Sequence, residues 1–149
     1  MKTQFLTLLF AFVALTSCSN DNDDQQIITP VPTPAATGFS WRENDPNGAV
    51  KTAATATFST QYKTMMAKDA NGDLLFEINL TGDAAGTYTI GSGNAVTYVV
   101  ENPYFVADTG EVIITSNANG KVSGTFEAFR GGTGITRIYA AFTDVTVIP

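Results

Sequence analysis

EVIITSNANGKVSGTFEAFR, from Glu111 to Arg130, is the stretch that decides the fold of this chain. Two runs rich in β-branched and aromatic residues, Glu111 to Ser116 and Lys121 to Arg130, flank the short segment Asn117-Ala118-Asn119-Gly120. Because Asn-Gly tolerates the positive φ of a tight turn, this arrangement predicts a β-hairpin. The hairpin makes an all-β fold the first hypothesis.

The same pattern continues on both sides of the hairpin. Apolar and polar positions alternate along Leu74 to Leu80 (LLFEINL), which is the period of a strand with one buried face. No stretch has a sustained helical period with caps, and the runs between turn residues predict about seven to nine strands. We therefore predict one all-β domain over residues 38–149, an antiparallel β-sandwich, with an open or lipocalin-like β-barrel as the alternative.

The alternation also predicts core residues and irregular positions within the strands. Gly124-Thr125 inside a strand predicts a bulge or a close backbone approach, and the phase change of the last run predicts a bulge at Thr143-Asp144. Pro103 ends one run, so we expect Tyr104 to Ala107 to be a short edge piece. The residues predicted to form the core are Phe76, Ile78, Val96, Tyr98, Ile114, Phe126 and Phe142.

The first residues of the chain have the pattern of an export signal. Lys2 supplies a positive charge, Phe5 to Leu15 is apolar but too short to span a bilayer, and small residues precede Cys18. Leu15-Thr16-Ser17-Cys18 resembles the lipobox of bacterial lipoproteins, in which the signal is cut before the cysteine and the cysteine is acylated. The resemblance implies a signal peptide at residues 1–17, lipidation of Cys18 with chains such as palmitate, and a membrane anchor.

Residues 18–37 have the composition of a tether. The acidic stretch Ser19 to Asp24 resembles the export signal of surface-exposed lipoproteins in the Bacteroidota, and Pro30, Pro32 and Pro34 favour an extended chain. Fully extended, Ser19 to Thr37 would reach about 55–60 Å. We expect a lipoprotein of the outer membrane exposed at the cell surface; its periplasmic face is the alternative.

Composition excludes several kinds of chemistry. The sequence has no histidine, and its one cysteine is Cys18, so histidine-dependent nucleophilic catalysis and His/Cys zinc sites are excluded within it. Loss of Lys2 with the signal lowers the formal charge from −6 to −7. A chain with a modest negative charge spread along its length argues against nucleic acid as a partner. We also expect no cofactor.

One segment partly matches a calcium loop. Asp69, Asn71 and Asp73 supply oxygens at the first, third and fifth positions, but Leu74 stands where the loop needs glycine and Leu80 where it needs glutamate. We interpret Asp69 to Asp73 as a hairpin turn and predict no metal site.

Five strand motifs resemble a domain common in small Bacteroidota lipoproteins. The domain has a GTYTI strand, a G-x-V-x-I-T strand, a hydrophobic-S-G-T-F strand and a closing F-T-D strand. The segments with these four motifs here are Gly86–Ile90, Thr109–Thr115, Val122–Phe126 and Ala141–Val145, and the fifth segment, Asn94–Tyr98, lies between the first two. Since these are patterns of strands and turns, the resemblance implies a fold and no catalytic residues.

Candidate binding residues are aromatic or basic. Tyr104, beside a proline in an expected edge or loop, is the best candidate for an exposed ring. Trp41 is a second aromatic candidate, for which a core position in its strand is the favoured interpretation. Arg130 and Arg137 bracket the loop Gly131 to Gly134 and would suit an anionic group; solvated strand ends are the alternative.

These features predict a non-catalytic binding or accessory module anchored at the cell surface, with a glycan or an envelope protein as its partner. A structural envelope lipoprotein without a small-molecule ligand is the second hypothesis. A glycosidase that uses carboxylates such as Glu77, Glu111 and Glu127 is the third, although outward solvated positions are the ordinary role of glutamates in strands.

Overall fold

The computed structural model describes residues 38–100 and 102–149, and this part of the chain contains eleven strands and no helix. The predicted signal peptide, the lipidation site Cys18 and the tether to residue 37 lie outside the described residues. The strands are β1 Gly38–Glu43, β2 Lys51–Thr52, β3 Thr55–Ser59, β4 Thr64–Lys68, β5 Leu74–Asn79, β6 Gly86–Thr89, β7 Ala95–Tyr98, β8 Phe105–Val106, β9 Thr109–Ala118, β10 Lys121–Phe129 and β11 Arg137–Ile148.

The strands belong to one curled sheet. Along the sheet the order is β6-β9-β10-β11-β3-β4-β5-β7-β8, and β1 and β2 branch from it at β11. The all-β prediction is confirmed, and the architecture is a half-barrel, closer to the open-barrel alternative than to two stacked sheets. Antiparallel pairing is not universal, because β3 and β11 run parallel through Thr57–Ser59 and Thr146–Ile148.

The branch at β11 places the first strand inside the fold. The N-terminal half of β11 pairs with β1, from Ile138 opposite Glu43 to Thr143 opposite Gly38, and its C-terminal end pairs with β3. Its other edge pairs with β10 along most of its length. β11 therefore joins the two halves of the sheet. Because β1 is antiparallel to β11, it begins beside Thr143 and ends beside Ile138.

The concave face of the sheet holds an aromatic core. All seven residues predicted for the core are buried, with at most 3 % of their surface exposed. Phe76 lies at its centre: its ring stacks on Tyr98 at 4.5 Å between centroids and contacts Phe39 at 5.0 Å and Trp41 at 5.1 Å. Burial of such rings is the main contribution to the stability of an all-β domain without a disulfide.

The predicted turns and bulges are confirmed. Asn119 and Gly120 have φ of 55° and 69° and connect β9 to β10 as a two-residue hairpin turn. The register of β10 shifts at Gly124 on both of its edges. On β11 the two residues Thr143 and Asp144, the latter at φ 52°, lie opposite the single residue Ser123, which is a bulge. Phe105–Val106 forms the expected short edge strand, since β8 ends the strand order.

Candidate functional site

Three loops meet at the end of the half-barrel to which β1 leads. They are the loop after β1 (residues 44–50), the loop between β7 and β8 (described at residues 99, 100 and 102–104) and the loop between β10 and β11 (residues 130–136). Asn44 joins the first to the third: its Oδ1 accepts from the Thr136 amide at 2.8 Å and its Nδ2 donates to the Gly134 carbonyl at 3.1 Å. Asn44 has φ of 59°, a conformation that asparagine tolerates better than most residues.

A hydrogen-bonded carboxylate joins the first loop to the second. Glu43 Oε1 accepts from the Trp41 indole at 3.1 Å, from Lys51 Nζ at 2.7 Å and from the Tyr98 hydroxyl at 2.9 Å. Burial alone would raise the pKa of the Glu43 carboxyl, but the hydrogen bonds and charge of its partners outweigh burial and hold the pKa below its ordinary value of 4.5. This network fixes β1 against β7 and supports the loop that follows Tyr98.

Tyr104 separates two grooves on this end of the molecule. The outer groove has a volume of about 520 Å³ and is lined by Val99, Val100, Asn102, Pro103 and Tyr104. The seam groove has a volume of about 360 Å³ and is lined by Pro103, Tyr104, Val106, Arg130, Gly131, Gly132 and Thr133. Tyr104 is 60 % exposed, so the ring that the sequence singled out is accessible from both grooves. The peptide bond between Asn102 and Pro103 is cis.

Arg130 lies in the wall of the seam groove. Its Nη1 donates to the Tyr104 carbonyl at 2.9 Å and its Nη2 to the Thr133 carbonyl at 3.4 Å, while its guanidinium lies 5.2 Å from the centroid of the buried Phe105 ring. The side chain thus bridges the two loops that form the groove. The sequence singled out Tyr104 as an exposed ring and, separately, Arg130 with Arg137 as a clamp for an anion; the contact between Arg130 and Tyr104 was not predicted.

Trp41 does not offer a surface for binding. It is 4 % exposed, and its ring packs edge-on against Phe76 at 5.1 Å and Tyr98 at 5.7 Å. The reason is its position in β1, where it shares the inward face with Phe39. The core alternative is therefore correct for Trp41, and it leaves the set of binding candidates.

Arg137 does not join Arg130 in a clamp. Arg137 lies opposite Phe129 in the β10–β11 register, and residues opposite each other on neighbouring strands share a face of the sheet. Arg130 follows Phe129 directly, so its side chain faces the other side. The Arg137 guanidinium pairs with Glu127 and lies 4.4 Å from the Phe129 ring and 4.6 Å from the Tyr139 ring. The two arginines that bracket the loop therefore point to opposite faces of the sheet, and Arg137 belongs to an ion pair on the convex one.

The partial calcium motif forms a hairpin turn. The Asp69 carboxylate accepts hydrogen bonds from the amides of Asn71 at 2.8 Å and Asp73 at 2.9 Å, and Gly72 has φ of 89°. The motif's first carboxylate is thus turned onto the backbone of its own loop. Within residues 38–100 and 102–149 no three histidine, cysteine or carboxylate side chains are grouped as a metal site, and no helix could cross a membrane.

Several residues of this site were not predicted from the sequence. Val106 is 52 % exposed and lines the seam groove beside Tyr104, and Val100, 58 % exposed, lines the outer groove. Asp108 lies at the base of the seam groove and holds Gly131 there, because the Asp108 Oδ2 accepts a hydrogen bond from the Gly131 amide at 2.9 Å. Asn44 looked only like part of a turn, although Asn-Asp-Pro-Asn-Gly after a strand is also a pattern in which an asparagine side chain can cap a neighbouring loop.

Comparison of the chain with protein-family models, curated protein sequences and solved structures found no match. The geometry of the loop end therefore carries the functional proposal.

Proposed function

We propose that this chain is a lipid-anchored, non-catalytic module that binds a protein partner of the cell envelope through the two grooves beside Tyr104. One observation carries the proposal: three of the large apolar side chains that remain exposed, Val100, Tyr104 and Val106, line these adjoining grooves. Exposed apolar groups that share one concave surface are typical of interaction sites, whereas single exposed ones are ordinary.

The composition of the grooves favours a protein over a glycan. Sugars stack on flat aromatic faces, and Tyr104 is the one aromatic ring among the described residues that line either groove. Its neighbours in the walls are Val100, Pro103 and Val106, which suit the side chains of a peptide better than a pyranose ring. Tyr62, the most exposed aromatic at 71 %, lies in the turn between β3 and β4 and not in this surface.

The distribution of carboxylates supports a role in binding rather than in hydrolysis. A glycosidase needs two carboxyl groups about 5–9 Å apart across a cleft. Among the described residues, no aspartate or glutamate lines either groove. Glu127 is engaged by Arg137, and Glu77 accepts from Asn79 at 2.9 Å on the outward face of β5, so each has a structural partner.

The direction of β1 suits a module presented away from an anchored N-terminus. Gly38 lies at the level of Thr143, and Glu43, about 17 Å further along the strand, lies beside the loops that form the grooves. A tether from Cys18 would therefore enter the domain at the end of β1 opposite to the grooves. The anchor is tested by metabolic labelling with a fatty acid: label is expected on the full chain and lost in Cys18→Ala, and label retained by that variant would refute it.

Tyr104→Ala is expected to weaken partner binding about thirtyfold or more without unfolding the protein. The change removes an exposed ring, and it leaves the backbone carbonyl that Arg130 binds. Loss of an aromatic anchor of this kind weakens an interface by about 2 kcal/mol or more. The measurement is an affinity purification of envelope proteins on the full chain, followed by titration of each recovered protein against the wild type and the variant.

Tyr62→Ala is the matched control, because it removes an equally exposed tyrosine at the other end of the half-barrel, where Thr60 donates to the Ile148 carbonyl. Saturable binding of one envelope protein that Tyr104→Ala loses and Tyr62→Ala keeps supports the proposal. A glycan array run in parallel decides between partners: saturable glycan binding that depends on Tyr104 would replace the protein by a sugar. If the chain binds neither an envelope protein nor a glycan, the proposal is wrong and the structural role of an envelope lipoprotein becomes the favoured hypothesis.

A further inference from the structure

The seam groove is the place where the half-barrel fails to close. β8 and β9 are separated only by Ala107 and Asp108, so the last strand of the sheet order runs almost directly into the strand beside β10. At this corner the Asp108 amide donates to the Phe129 carbonyl at 2.7 Å, and the Gly131 amide donates to the Asp108 carboxylate at 2.9 Å. Asp108 thus holds two facing edges together at one point, the outer edge of the segment that joins β8 to β9 and the C-terminal end of β10.

Beyond that point the two edges separate. Val106 lies on one side and Gly131, Gly132 and Thr133 on the other, and the seam groove of about 360 Å³ lies between them. The buried Phe105 ring lies next to Arg130 beneath this opening. The groove therefore has the edge of β8 on one side, a glycine-rich loop on the other, and the Phe105 ring and Arg130 at its base.

The strand edge of Val106 faces the groove. The Ala107 amide donates to the Val96 carbonyl at 3.0 Å, and Val106 lies opposite Thr97, one step along the same ladder. Because neighbouring residues in an antiparallel ladder direct their N–H and C=O groups to opposite sides, those of Val106 point away from β7. Asp108, of the same parity, uses its outward amide to bond Phe129 across the seam. In the described chain β8 has β7 as a strand partner and no strand on its outer side.

From this geometry, and resting on the proposed function, we infer that the seam groove receives an extended segment of the partner protein as an added strand paired with Val106. Strand addition uses the backbone for affinity and alternate side chains for specificity. The groove walls favour apolar side chains at those alternate positions. The added strand would continue the sheet from β8 into the gap that Asp108 leaves open.

Val106→Pro tests the inference, and Val106→Thr is its matched control. Proline removes the outward N–H at an edge position where strands tolerate it, whereas threonine keeps the donor and the β-branched shape. The probe is a displayed library of random peptides selected on the full chain in detergent, with binders retained only if Tyr104→Ala loses them. We expect Val106→Pro to bind these peptides about tenfold or more weakly than Val106→Thr.

A second measurement does not depend on the folding of the variant. The selected peptides are resynthesised with single N-methyl groups, which remove one backbone donor at a time. Strand addition at Val106 predicts that methylation weakens binding at the one peptide residue that donates to the Val106 carbonyl and is tolerated at the residues on either side of it, because the Tyr104 carbonyl and the Asp108 amide on the same edge already have partners. Uniform tolerance, or equal binding by the proline and threonine variants, overturns strand addition but leaves the Tyr104 surface as the binding site. Selection of no peptide that depends on Tyr104 also overturns the inference, whereas the protein-binding proposal is decided by the titration of envelope proteins.

Discussion

Phe76→Ala is expected to lower the free energy of unfolding by about 3–5 kcal/mol, which is enough to unfold a marginally stable domain of this size. Phe76 is fully buried, and four other rings (Phe39, Trp41, Tyr98 and Phe126) lie with their centroids within 6 Å of its own. Removing the Phe76 ring leaves a cavity lined by rings from three other strands, β1, β7 and β10. These strands are held in the sheet by backbone hydrogen bonds, so they cannot easily move inwards to fill the cavity.

Trp41 provides the measurement, because it is the sole tryptophan of the sequence and it packs on Phe76. Urea unfolding of the full chain followed by tryptophan fluorescence and by circular dichroism gives the free energy for both proteins. Val50→Ala, at a position 53 % exposed, is the control and is expected to change stability by less than about 0.5 kcal/mol. A loss below about 1 kcal/mol for Phe76→Ala would contradict the position of this ring at the centre of the core.

Gly124→Ala has the second largest expected effect, a loss of about 3 kcal/mol. A Cβ at this position would lie 2.0 Å from the Ile113 carbonyl oxygen and 2.5 Å from Cζ of Phe142. The first contact is with the backbone of the neighbouring strand, so relief requires a shift of the sheet at its bulge. The glycine of the Val-Ser-Gly-Thr-Phe segment is therefore needed for close approach, with the Phe142 ring lying over it.

Gly131→Ala is the matched control for Gly124→Ala. Its Cβ would meet only the Asp108 carboxylate, at 3.9 Å, and its φ is not positive. We expect the melting temperature of Gly131→Ala to stay close to that of the wild type and that of Gly124→Ala to fall by about 10 °C or more. Equal melting temperatures for the two variants would count against the close packing of β9, β10 and β11.

Local features of the fold were predictable from the sequence. The hairpin turn at Asn119-Gly120, the buried face of β5 and the bulge at Thr143-Asp144 each follow from a few neighbouring residues, because turn chemistry and alternation act over short distances. Alternation assigns a side chain to a face, but it does not name the strand that will lie beside it. The pairing of β1 with β11 and the parallel contact of β3 with β11 join residues far apart in the sequence, so they were not predictable.

The candidate site was predictable in part for the same reason. Pro103 indicated an exposed edge, and this correctly placed the Tyr104 ring at the surface. The relation of Arg130 to Arg137 depends on the register of β10 and β11, which decides the face of each side chain. The seam groove depends on the convergence of β8 with the loop after β10, a long-range contact that no local pattern encodes.

Photo-crosslinking on intact cells tests most directly whether the Tyr104 surface is the binding site. A benzophenone amino acid replaces Tyr104 in one full-length variant and Tyr62 in another, so that both probes start from exposed tyrosines at opposite ends of the half-barrel. The predicted result is one discrete crosslinked envelope protein from position 104 and none from position 62. The same set of products from both positions, or no product from position 104, would contradict a specific partner at these grooves.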